Sequence, residues 1–76
     1  MVEYPSVGSR EVKRAFRSAG WLSRQGKGHS VFSKGPRSVV VDDDVKRFSA
    51  KLLALMRRQA GMSREEFIRL LRGQAP

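Results

Sequence analysis

Two glycine-bearing turns, Gly26-Lys27-Gly28 and Lys34-Gly35-Pro36-Arg37, divide the middle of this chain. They leave Trp21–Gln25, His29–Ser33 and Ser38–Asp42, segments short for helices but long enough for strands. Separators this short join antiparallel neighbours, because a parallel connection needs about a dozen residues or more. The pattern therefore predicts a three-stranded antiparallel meander. Alternation places His29, Val31 and Ser33 on one face and Ser30 and Phe32 on the other. The run Val39-Val40-Val41 predicts the central or most buried strand.

The flanking segments carry helical spacing. Val12, Ala15, Phe16 and Ala19 form one apolar stripe, with Arg10, Lys13, Arg14 and Arg17 on the rest of the surface. Ser9 is suited to cap that helix, Glu11 meets its dipole, and Gly20 stands where a helix-ending glycine belongs. Asp42-Asp43-Asp44 ends the sheet. Ser49 is placed to cap a second helix running through Ala60 and closed by Gly61. Ser63 and Glu66 have the spacing of a capping box ahead of a short third helix with Phe67, Ile68, Leu70 and Leu71. The expected fold is α+β, ordered α-β-β-β-α with an extra C-terminal helix. Its helices pack on one face of the sheet, the layout of a double-stranded-RNA-binding domain. Residues 9–72 form the predicted domain, between an N-terminal tail 1–8 and a C-terminal tail 73–76.

With 76 residues and no cysteine, this domain must be held by packing alone. Trp21 and Phe32 are therefore assigned to the core rather than to base stacking. The longest apolar run has five residues, Leu52–Met56. A membrane span needs about 20 and a signal peptide roughly 7–15, so no membrane association is expected and the cytosol is the expected compartment.

The charge is lopsided: 16 Lys plus Arg against 7 Asp plus Glu, a net +9. No acidic residue lies between Val12 and Val41, a stretch holding Lys13, Arg14, Arg17, Arg24, Lys27, Lys34 and Arg37. A field of one sign over so much of a small domain attracts polyanions, and nucleic acid is the usual partner. A membrane surface fits less well, because the basic helices lack a Trp or Phe insertion face. A basic surface that merely keeps the protein soluble is the plain alternative.

His29 is the only histidine, and it follows the Gly-Lys-Gly turn inside the acid-free stretch. RNA can be cut without metal when a base removes a 2′-OH proton and the oxygen attacks the adjacent phosphate. Imidazole suits that task because it titrates near neutral pH. Arg24, Lys27 and Lys34 are candidates to steady the charge on phosphate, and Gly28 lets the backbone approach the sugar–phosphate chain. Lys13, Arg17 and Arg37 complete the candidate RNA-binding set, spread over a basic sheet face and the adjoining helix. The plain alternative for His29 is a surface histidine at a hairpin. Gly26-Lys27-Gly28 is a poor phosphate loop, since no helix follows it and the full motif is missing. The three aspartates are more simply a strand terminator that neutralises nearby cations than a Mg²⁺ site. No metal or cofactor is expected.

From about Val7 to Leu71 the chain resembles the HicA family, small mRNA-interferase toxins of HicA–HicB toxin–antitoxin pairs. The resemblance rests on Gly8-Ser-Arg-Glu-Val12, Ala19-Gly20-Trp21 and Arg24-Gln-Gly-Lys-Gly-His-Ser-Val-Phe32. Arg57-Arg-Gln-Ala-Gly-Met-Ser-Arg-Glu-Glu-Phe67 resembles the family's C-terminal signature. It implies a dsRNA-binding-like fold and metal-independent endoribonuclease activity on mRNA, with His29 at the position of the catalytic histidine. It also implies a HicB-like antitoxin partner that covers the site in a toxin–antitoxin hetero-oligomer. The chain departs from the family at Gly28, commonly Ser, and at Asp42-Asp43-Asp44, where relatives often carry Pro and a His-containing loop. The alternative from another class is a non-catalytic RNA- or DNA-binding module. A third reading is an interaction protein whose basic surface docks an acidic partner.

Overall fold

The computed structural model describes residues 3–73. Helix α1 (Ser9–Ser18) is followed by strands β1 (Leu22–Gln25), β2 (His29–Lys34) and β3 (Arg37–Asp42), then helices α2 (Ala50–Ala60) and α3 (Arg64–Leu71). The three strands form one antiparallel sheet in the order β1-β2-β3. This is the expected α+β order.

The central strand is β2, which corrects the expectation for Val39–Val41. Two short turns in succession force the middle segment of a meander into the middle of the sheet. As an edge strand covered on one face only, β3 buries Val39 and Val41, while Val40 between them is 48% exposed. The covered face is made by Ser30, Phe32, Val39 and Val41, all buried. The helices pack there. Phe16 sits at the centre, with its ring 5.0 Å from Trp21, 5.5 Å from Phe32 and 6.3 Å from Phe67. The opposite face is open: Leu22 on β1 is 75% exposed.

Caps on α2 and α3 stand as expected. The Ser49 hydroxyl accepts from the Leu52 amide at 3.2 Å, and Gly61 ends α2 in the left-handed region with φ 70°. Ser63 and Glu66 exchange side-chain and backbone hydrogen bonds at the start of α3. The cap of α1 differs. Gly8 is the N-cap, its amide donating to the Glu11 carboxylate at 2.7 Å, and Ser9 is the first helical residue. A side chain at position 8 would lie 2.3 Å from the Lys46 carbonyl oxygen, so only glycine fits there. Ser9 instead donates its hydroxyl to the Asp42 carbonyl at 2.5 Å and accepts from the Val45 amide at 2.9 Å. It fastens the start of α1 to the end of β3.

The described part of the expected N-terminal tail is tied into the fold. Val7 is buried, its carbonyl accepts from the Phe48 amide at 2.8 Å, and Tyr4 meets Phe67 edge-on at 6.0 Å. A small core recruits every apolar group in reach, and this segment supplies two. The expected tail 73–76 lies outside the described residues apart from Gly73. Among the described residues, no helix is long and apolar enough to cross a membrane.

Candidate active site

The turn between β1 and β2 is bonded at every carbonyl. The His29 carbonyl accepts from the Gly26 amide at 2.8 Å and from Gln25 Nε2 at 3.2 Å. The Gly26 carbonyl accepts from the same Gln25 amide at 2.9 Å, and the Gly28 carbonyl accepts from the Asp43 amide at 3.0 Å. The remaining carbonyl, that of Lys27, lies 3.0 Å from Nδ1 of the His29 ring. A carbonyl can only accept, so this bond places the ring proton on Nδ1 and leaves the lone pair of the neutral imidazole on Nε2. Gly28 has φ 74°, a conformation that favours glycine. Gly26 serves a different purpose: a Cβ there would sit 2.7 Å from His29 Nε2. The imidazole lies across its own turn in the space that this glycine leaves open.

Side chains then bind the turn to the body. Ser30, 1% exposed, shares its one hydroxyl proton between Gln25 Oε1 at 2.9 Å and Asp43 Oδ1 at 3.1 Å. Gln25 donates from Nε2 to Asp43 Oδ2 at 2.5 Å, and Lys13 of α1 forms an ion pair with Asp43. The Lys13 ammonium holds the Asp43 carboxyl below its ordinary value. The Gln25 and Ser30 hydrogen bonds act in the same direction, and desolvation opposes them.

The candidate RNA-binding residues divide into two groups. Arg24 and Lys27 share the His29 end of the sheet. Arg24 stands on the open face beside Val31 in the register, and Lys27 is exposed in the turn. Arg10 and Arg14, exposed on the half of α1 that Ser9 and Lys13 fasten to this end, join them. They were not among the sequence-derived site residues, because helical spacing alone does not say which end of the sheet a helix reaches.

Lys34 and Arg37 belong to the other turn, about 17 Å away along β2 at about 3.3 Å per residue. Strand alternation turns both toward the helix layer. Lys34 Nζ donates to the Ala19 carbonyl at the end of α1 at 3.0 Å, and the Arg37 guanidinium lies against Gly61 at the end of α2. Each cation meets the negative end of a helix. Lys13 is engaged by Asp43, and the Arg17 guanidinium lies 5.9 Å from the centre of the Phe32 ring. The expectation of a broadly basic sheet face is thereby corrected. Leu22, Arg24, His29, Val31, Ser33, Ser38, Val40 and Asp42 share the open face, and Arg24 is its one permanent cation.

Asp42 is the register partner of His29 on that face. Asp43 has left the strand and turned toward Lys13. Among the described residues, no three His, Asp or Glu side chains gather as a metal ion would require. Gln25 and Ser30, given no site role by the sequence, belong to the site as well. Their signal was there: a serine at a core-facing strand position needs a polar partner, and alternation sends its cross-strand neighbour Gln25 to the same side. Comparisons with models of protein families, with curated proteins and with solved structures find no match to this chain.

Proposed function

We propose that the protein is a metal-independent endoribonuclease, an mRNA interferase of the HicA type, working in the cytosol and held in check by a HicB-like antitoxin. The carrying observation is the 3.0 Å contact between His29 Nδ1 and the Lys27 carbonyl. With Nδ1 donating to the Lys27 carbonyl, Nε2 is left as the basic atom of a ring seated on a turn whose carbonyls are all hydrogen-bonded.

In the proposed reaction Nε2 takes the proton from a ribose 2′-OH. The 2′ oxygen forms a bond to the adjacent phosphorus, and the bond from phosphorus to the 5′ oxygen breaks. The products are a 2′,3′-cyclic phosphate and a 5′-hydroxyl end, the leaving oxygen taking its proton from solvent or from the imidazolium. Arg24 and Lys27 stand at the same end of the sheet to offset charge that builds on the phosphoryl oxygens. Arg10 and Arg14 extend the positive surface along α1 and favour a long polyanion over a mononucleotide.

The test is cleavage of a long mRNA by the wild type and by His29→Ala, both in EDTA. The expected result is cutting by the wild type and a loss of about 100-fold or more in the variant, the usual scale of general acid–base catalysis. Cutting by both alike would remove His29 from the mechanism.

A second reading, a non-catalytic RNA-binding module, is favoured by Asp42. It places a carboxylate opposite His29, where it repels an approaching phosphate. That reading predicts a salt-sensitive gel shift with no turnover, retained in His29→Ala.

A further inference from the structure

We propose that Asp43 and Gln25 are positioning residues that set the tautomer and aim of the His29 imidazole; this rests on the nuclease reading of the same site. The reasoning begins with the carbonyl oxygens of residues 26–29. Gln25 Nε2 holds those of Gly26 and His29, and the Asp43 amide holds that of Gly28. Of the four, the Lys27 carbonyl accepts from neither Gln25 nor the Asp43 backbone amide, and His29 Nδ1 lies 3.0 Å from it.

The Gln25 amide is itself oriented from both ends. Its two Nε2 hydrogens are shared among Asp43 Oδ2 at 2.5 Å and the Gly26 and His29 carbonyls, and its Oε1 accepts from Ser30 at 2.9 Å. A side-chain amide has a donating and an accepting end, so this pair of contacts leaves it one orientation. The Asp43 carboxylate is fixed in turn by Ser30 and by Lys13 of α1. The chain of contacts runs from α1 through Asp43 and Gln25 to the carbonyls beneath the imidazole. Neither positioning side chain is hydrogen-bonded to the ring, so both act through the turn. A base displaced by about 1 Å can lose about 100-fold in rate, so a catalytic imidazole on a hairpin gains from such bracing.

The single histidine makes the test direct. In protein labelled with ¹⁵N-histidine, the two ring nitrogens report the tautomer of His29 alone. The measurement compares wild type, Asp43→Ala, Gln25→Ala and the double variant, together with kcat and KM on one RNA. Gln25 is exposed, so its truncation leaves the core intact and guards against a folding artefact in Asp43→Ala. Each single variant is expected to lose Nδ1–H population and about 10-fold in kcat, with KM within about twofold. The double variant should be no worse than either single, because the two side chains act as one unit. An unchanged tautomer in both single variants overturns the proposal, and so do losses that multiply in the double variant. If the wild type does not cut RNA, the nuclease reading falls, and the tautomer alone decides the positioning: a shift upholds it, no shift overturns it.

Discussion

Gly26 shows how one residue can be required by its neighbour rather than by its own backbone. Gly28 needs glycine for its φ of 74°, whereas Gly26 has no positive φ, and its hydrogen atom marks the floor on which the imidazole rests. Gly26→Ala should therefore leave the fold intact, because the methyl group meets a movable ring at a solvent-facing turn. It should displace that ring from Nε2 outward. The expected outcome is a far-ultraviolet circular dichroism spectrum like that of the wild type, with RNA cleavage reduced about 10-fold or more. Cleavage at the wild-type rate would show that the ring's seat across the turn is not its working position. Ser9 carries the same lesson. By sequence it is a helix cap; in the fold it sits one position inside the helix, and its hydroxyl joins α1 to the end of β3.

Each helix is entered in the same way. Val7, Phe48 and Met62 precede the three N-caps, and Val12, Leu53 and Phe67 follow four positions inside. All six belong to the core or pack against it, Met62 being the partly buried one. This is the spacing of a hydrophobic staple, in which the residue before the cap packs near the second turn and sets the angle at which the chain enters the helix. It explains why residues 3–8 are not a tail: Val7 is half of the staple of α1. The polar half is tested most simply at Ser49, whose hydroxyl is the one side-chain cap of α2. Ser49→Ala should cost about 1 kcal/mol. For a domain of this size that is a fall of about 4–8 °C in melting temperature, readable by calorimetry.

At the scale of the molecule, the aromatic side chains are spent on the interior. Phe16, Trp21, Phe32, Phe48 and Phe67 are buried, and Tyr4 packs against Phe67. Without disulfides, this cluster carries the stability of the domain, and Phe16 joins three of the other rings. Phe16→Ala should cost about 3–5 kcal/mol. Small domains have little stability beyond that, so the variant is expected to be largely unfolded at 37 °C by circular dichroism. The same allocation bears on binding. With the Phe and Trp rings buried and Tyr4 half-buried, RNA contact under the proposed function would fall to Arg24, Lys27, Arg10 and Arg14 and to the polar backbone of the turn.

Local rules written in the chain determined the elements. Glycine and proline placed the turns, alternation set Ser30 and Phe32 on the face opposite His29, and Ser49, Gly61 and Ser63 marked the helix ends, each through forces acting within a few residues. Those rules also isolated His29 at the mouth of a hairpin. Arg24 and Lys27 were legible beside it from the hairpin itself; which other cations reach that end was not, because that depends on contacts between residues far apart in the chain. Lys34 and Arg37 are close to His29 in sequence, yet strand geometry carries them to the far end and turns them onto helix termini. Lys13 and Asp43, thirty positions apart by their numbers, meet because Ser9 pins α1 to the end of β3. The tertiary structure alone decided that meeting, and with it the bracing of the turn: a carboxylate with no partner of its own in the sequence found an ammonium, an amide and a hydroxyl once the sheet and the first helix had packed.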